Sequence, residues 1–156
     1  MGDEISIRAA QPDDAPILSE LLAQLGYPAT SDEIPARLAA VNEFPRALAL
    51  VALRDENVVG LVTSHIIPSI QAAEPVALLT TLVVAASHRG KGIGSRLVSA
   101  AERWAADHGA AKVSVTSGAH RVESHLFYEN RNYVRSGFRF TKTVHDLPEA
   151  TVGNAS

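Results

Sequence analysis

From Leu82 to Ser95 the chain reads LVVAASHRGKGIGS, and the rest of the molecule is arranged around this stretch. Its first residues close the apolar run Val76–Ala85 (VALLTTLVVA), broken only by Thr80 and Thr81, which is the pattern of a strand buried on both faces. Beyond it Ile93, Leu97, Ala101, Trp104 and Ala105 recur at helical spacing, with Gly109 as the stop. Between strand and helix, Gly90, Gly92 and Gly94 alternate with Lys91 and Ile93. Glycines gather at such a junction where the backbone must come close to a ligand. The first N–H groups of a helix have no internal partner, and the helix dipole adds partial positive charge there. Arg89 and Lys91 add formal charge, so the expected ligand is a phosphate or pyrophosphate. The spacing excludes two nucleotide motifs. There is no G-x-x-x-x-G-K-S/T, and G-x-G-x-G in mid-chain is not the G-x-G-x-x-G that follows the first strand of a dinucleotide-binding domain.

Working outward, Ile5–Arg8 alternates as a first strand. Pro12, Asp13 and Asp14 start a helix carried by Ile17, Leu18, Leu21, Leu22 and Leu25 and stopped by Gly26. Ser31, Asp32 and Glu33 open a second helix that runs to Val41. Ala47–Leu53 and Val58–Ile67 flank a polar turn as a hairpin, ended by Pro68. Lys112–Thr116 reads as a short strand, Glu123–Asn130 as a helix and Phe138–Val144 (FRFTKTV) as a final alternating strand. The expected class is α/β: a mixed sheet flanked by helices, one domain over residues 1–145, with 146–156 a flexible tail.

Composition narrows the function. The 156 residues are 46% apolar and 20% charged, the balance of an ordinary globular protein. Fourteen basic against 17 acidic side chains give a net charge of −3, which argues against a nucleic-acid partner. With no cysteine, disulfides, thiolate metal sites and cysteine nucleophiles are excluded. The acidic start MGDEISIRAA has no apolar core, so no secretory signal is expected. No stretch approaches the ~20 apolar residues that cross a bilayer. A cytoplasmic protein without a membrane partner is the expectation. No G-x-S-x-G elbow supports a serine hydrolase.

The stretch from Leu82 to Gly94 resembles motif A of the GNAT superfamily of acyl-CoA-dependent N-acetyltransferases. Its core pattern, Q/R-x-x-G-x-G/A, falls on Arg89, Gly92 and Gly94. The resemblance continues through SGAHRVESHLFYENRNY, Ser117 to Tyr133, similar to the family's R-x-x-A-H-x-F-Y-x-x-x-G-Y segment. It extends over Val76–Val144, and the order of elements before it agrees more loosely. Two positions depart from the pattern: Ser124 stands before His125 where the pattern has alanine, and Asn132 replaces the glycine before Tyr133. Asparagine tolerates the left-handed turn a glycine would take.

The resemblance implies a mostly antiparallel sheet in which two parallel strands, Val76–Ala85 and Lys112–Thr116, splay apart around acetyl-CoA. It implies pyrophosphate on the backbone of Arg89, Gly90, Lys91, Gly92, Ile93, Gly94 and Ser95. The strand segment Leu82, Val83 and Val84 would face the pantetheine arm, with an N–H polarising the thioester carbonyl. Tyr128 occupies the position that protonates the departing sulfur. Acetyl-CoA would be a co-substrate and no metal is implied; His120, Glu123 and His125 match no zinc spacing. The acceptor would be a primary amine on a small molecule or peptide, attacking directly in a ternary complex, and a homodimer stays open. An alkylammonium with pKa ~10.4 must first lose a proton. Many relatives carry a carboxylate where this chain has Thr80, so His65, Glu74, His120 and His125 are the candidate bases, with proton loss through water as the expectation. The competing reading is an acyl-CoA sensor that kept the fold and lost turnover. Trp104 is expected in the core, and Arg121 and Arg131 in solvent.

Overall fold

Asp55 and Glu56 both sit at positive φ, 51° and 66°, as a two-residue hairpin turn requires if its twist is to match its strands. They join β2 (Ala47–Arg54) to β3 (Asn57–Ile67) in a computed structural model that describes residues 4–116, 122–137 and 139–145. With β1 (Ile5–Ala9), β4 (Val76–Val84) and β5 (Lys112–Val115) they form one sheet in the order β1-β2-β3-β4-β5. Every neighbouring pair is antiparallel except β4 and β5. A parallel pair needs a crossover, and here it is α3 (Ile93–Asp107). The mixed sheet with flanking helices is the expected class.

The chain divides into two compact units, residues 1–116 and 117–156. In the first, α1 (Ala15–Leu25) and α2 (Ile34–Glu43) bury Leu18, Leu21, Ile34 and Leu38 with Ala49, Val51 and Leu61 of the sheet. On α3, Ile93, Leu97, Val98, Ala101 and Ala105 are buried. Gly60 of β3 lets this helix approach, because a Cβ there would lie 2.9 Å from Leu97 Cδ1 and 3.2 Å from the Val83 carbonyl. Trp104 sits at the margin of this stripe, half-buried beside Ile66, Ala77 and Val113, with its ring 5.0 Å from that of His108.

The first strand is fastened to the first helix by charge. Arg8 donates two hydrogen bonds to Asp14, at 2.8 and 2.9 Å, and the carboxylate also accepts the Gln11 N–H at 2.8 Å. The Arg8 hydrogen bond holds the Asp14 carboxyl below the usual carboxylate range, against the opposing effect of burial.

In the second unit the described helix is α4 (Val122–Asn130). The alternating run expected as a final strand at Phe138–Val144 forms no strand in its described residues, 139–144. Alternation supplies two faces but no partner edge, and these residues join no ladder; Phe140 and Val144 are exposed. Phe138 itself, His120, Arg121 and the tail expected over 146–156 lie outside the described residues.

Candidate active site

The ladder between β4 and β5 runs from Val76↔Lys112 to Leu79↔Val115 and stops, while β4 continues to Val84. On its other side β4 stays paired with β3 up to Gly60↔Val84, and the next N–H, that of Ala85, donates to the Val59 carbonyl at 2.8 Å. In an antiparallel pair, residues alternate between those bonded to the partner and those whose N–H and C=O point away. Counting back from Ala85, Val83 and Thr81 bond to β3, and Leu82 and Val84 turn their backbone groups to the side that β5 has left. The Val84 carbonyl confirms this direction by accepting Arg89 Nε at 3.1 Å. Val83 faces the other way, with its backbone toward Leu61 and its side chain in the core, so of the expected trio only Leu82 and Val84 line the open strip.

One feature of β4 carried no signal in the sequence. Thr63 pairs with Thr81 and Ser64 with Leu79, which leaves Thr80 as an extra residue in a β-bulge. Its hydroxyl lies 2.7 Å from that of Thr63 and 3.3 Å from the Thr63 carbonyl. A threonine within an apolar β-branched run looks the same whether it is paired or bulged.

The strand then enters a short 3-10 turn, Ala86–His88, tied to α1 by the Ala86 N–H donating to Gln24 Oε1 at 2.9 Å. Gly90 and Gly92 follow at φ 79° and 81°, a left-handed conformation that side chains resist. A Cβ on either would meet nothing within 4 Å, so these glycines answer to backbone shape and leave open space above them. Gly92 is the N-cap of α3 and supplies no capping side chain. The first intrahelical bond is Arg96 N–H to the Gly92 carbonyl, leaving the N–H groups of Ile93, Gly94 and Ser95 aimed out of the helix end. Ile93 is buried and pins this end to the core, while Arg89 and Lys91 are exposed beside it. Such a turn can take a diphosphate, and the strip before it can hydrogen-bond an extended amide chain.

Next to the bulge lies a pocket of about 280 Å³, walled by Ala40, Val41 and Phe44 on one side and by Thr63, His65 and Thr80 on the other. In the second unit, Tyr128 is buried, its ring edge-on to Phe127 at 5.2 Å and to Tyr133 at 5.4 Å.

The profile of the Acetyltransferase (GNAT) family matches residues 16–133. The chain belongs to the GNAT acetyltransferases. Among relatives, the aminoalkylphosphonate N-acetyltransferase of Salmonella typhimurium strain LT2 is 34% identical over 129 residues, covering 82% of this acetyltransferase and 81% of the relative. The fold is shared with the glucosamine-6-phosphate N-acetyltransferase of Arabidopsis thaliana, at a TM-score of 0.77 and 19% identity over 90% of this chain and 98% of that one. It is shared too with a GNAT family acetyltransferase of Staphylococcus aureus, at 0.76 and 20% identity over 90% and 98% of the two chains.

Of the base candidates in this acetyltransferase, His65 lines the pocket, Glu74 is an exposed loop residue and His125 is half-buried on α4. Arg131 is half-buried rather than free in solvent, its guanidinium 6.0 Å from the centre of the Phe127 ring. Asn132 adopts φ 70°, the left-handed turn expected where relatives carry glycine. Among the described residues, no helix is long and apolar enough to cross a membrane, and no three His, Cys, Asp or Glu side chains gather as a metal site.

Proposed function

We propose that this acetyltransferase carries an acetyl group from acetyl-CoA directly to the primary amine of a small molecule. The observation that carries this reading is the open strip of β4, Leu82 and Val84, which leads through the short turn Ala86–His88 into a glycine turn of left-handed backbone at the N-terminus of α3. The pyrophosphate sits on the N–H groups from Arg89 to Ser95, and the outward groups of Leu82 and Val84 take the pantetheine arm. An N–H of that strip draws charge from the thioester carbonyl as it becomes an oxyanion. Arg89 then has to give up the Val84 carbonyl, which frees its guanidinium for phosphate. The amine nitrogen attacks the carbonyl carbon, the C–S bond breaks, and its electron pair leaves with sulfur. Tyr128, the residue at the family's acid position, returns a proton to that sulfur. The chain contains no cysteine, so no thiol is present to carry the acetyl group, and both substrates are bound together. The Salmonella relative is named an aminoalkylphosphonate N-acetyltransferase, which supports a small-molecule amine as the acceptor.

The test is calorimetric titration of coenzyme A into the wild type and into Gly92→Asp. The variant places a side chain at φ 81° and a negative charge beside the phosphates. Binding to the wild type and its loss in the folded variant are expected; undiminished affinity in the variant overturns the assignment of the loop.

A further inference from the structure

We propose that His65 takes the proton from the acceptor's ammonium group, and that the pocket it lines admits small monoamines and rejects polycations. This rests on the acetyl transfer proposed above and extends it to the acceptor.

His65 and Thr63 occupy alternate positions of β3 and so share a face, while Ser64 between them turns into the interior and donates to the Leu78 carbonyl at 2.9 Å. The His65 ring is half-buried and stands edge-on to Phe44, centroids 5.7 Å apart and planes at 73°. Among the described residues no hydrogen bond engages either ring nitrogen. The imidazole is therefore oriented by packing alone, with its nitrogens available to a ligand. The remaining described side chains of the pocket wall, those of Ala40, Val41, Phe44 and Ala47, are apolar, and Thr63 and Thr80 add hydroxyls. None is a carboxylate, lysine or arginine.

The charged residues near this end of the packed elements are Glu43 of α2, Arg46 before β2 and Glu74 before β4. All three are exposed and none lines the pocket. A second or third ammonium held inside the pocket would lose its hydration and find no counter-charge on the wall. A single ammonium, by contrast, can hand its charge to His65. At its far wall the pocket reaches the bulged Thr80, two residues before Leu82, where the open strip begins. An amine seated beside His65 thus lies at the acyl end of that strip.

The proton balance is simple. R–NH₃⁺ gives one proton to the neutral imidazole, and the freed lone pair forms the C–N bond. As C–S breaks, the nitrogen's surplus proton is lost and the sulfur gains one. The imidazolium then discharges to water, so the net products are the amide, the thiol and one proton.

The experiment measures thiol release by the full chain at saturating acetyl-CoA across a pH series. The amines are phenethylamine, 2-aminoethylphosphonate, spermidine and kanamycin. A monoamine is expected to give the highest kcat/KM, and a polycation as the best acceptor overturns the pocket assignment. With the best amine, His65→Gln is expected to lower kcat/KM by about 10²-fold or more and to regain part of the rate with added imidazole. Its affinity for coenzyme A and its circular dichroism should not move. If His65→Gln keeps the wild-type rate at every pH, His65 is not the base, while the transferase reading stands. If no amine releases thiol and coenzyme A does not bind, the transferase reading falls and this inference falls with it.

Discussion

Asp14 shows how much one side chain organises. It is 7% exposed, meets Arg8 through both oxygens and caps the turn by accepting the Gln11 N–H. Asp14→Asn keeps the shape and removes the charge, and should cost about 1–3 kcal/mol of stability at neutral pH, since Arg8 is partly solvated. Because the folded carboxyl has a lowered pKa, its contribution is present above the unfolded value of ~3.9 and is lost as pH falls through the folded value. Urea unfolding of both proteins should therefore show a gap at pH 7 that closes in strong acid; a gap independent of pH would assign the loss to packing. Tyr128 belongs to the same scale. Tyr128→Phe keeps the ring between Phe127 and Tyr133 and removes the hydroxyl proposed to protonate the departing sulfur. Steady-state kinetics should show kcat reduced and the affinity for acetyl-CoA retained, whereas full turnover would make Tyr128 a packing residue.

Among the elements, three helices stop by one device. Gly26, Gly109 and Asn132 are left-handed, and the following residue, Tyr27, Ala110 or Tyr133, reaches back to a carbonyl five positions earlier. After α4 the returning Tyr133 also brings its ring against Tyr128, so the turn fixes the orientation of the aromatic pair. Asn132→Val should destabilise by roughly 1–2 kcal/mol, and Asn132→Gly should match or exceed the wild type, in thermal unfolding of the full chain. Equal melting of all three would mean that the turn carries no strain. These stops, the helical stripes and the hairpin were legible in sequence because each depends on local periodicity or on one conformationally special residue. The bulge at Thr80 was not, since it depends on the register between two strands. Nor did alternation make 139–144 a strand, because a strand is completed by another part of the chain. The glycine turn was legible for its own reason: glycines at the end of a buried strand are costly unless the backbone there needs them. The pocket beside His65 was hidden, because it joins residues from α2, β3 and β4 that are distant in sequence.

For the molecule as a whole, the proposed reaction passes acetyl in one step between two substrates bound together. A parallel pair of strands parting at Leu79 and Val115 opens the strip, and the crossover helix between them carries at its N-terminus the turn proposed to hold the pyrophosphate. Both proposed roles would follow from a single topological choice, the one parallel connection among the described strands. The absence of cysteine removes the commonest route to an acyl-enzyme. The most direct measurement is the initial rate over a matrix of acetyl-CoA and amine concentrations, with thiol counted by colour and amide by mass spectrometry in the same samples. Intersecting double-reciprocal lines with one amide formed per thiol released are the predicted result. Parallel lines, or thiol released without amide, would contradict it.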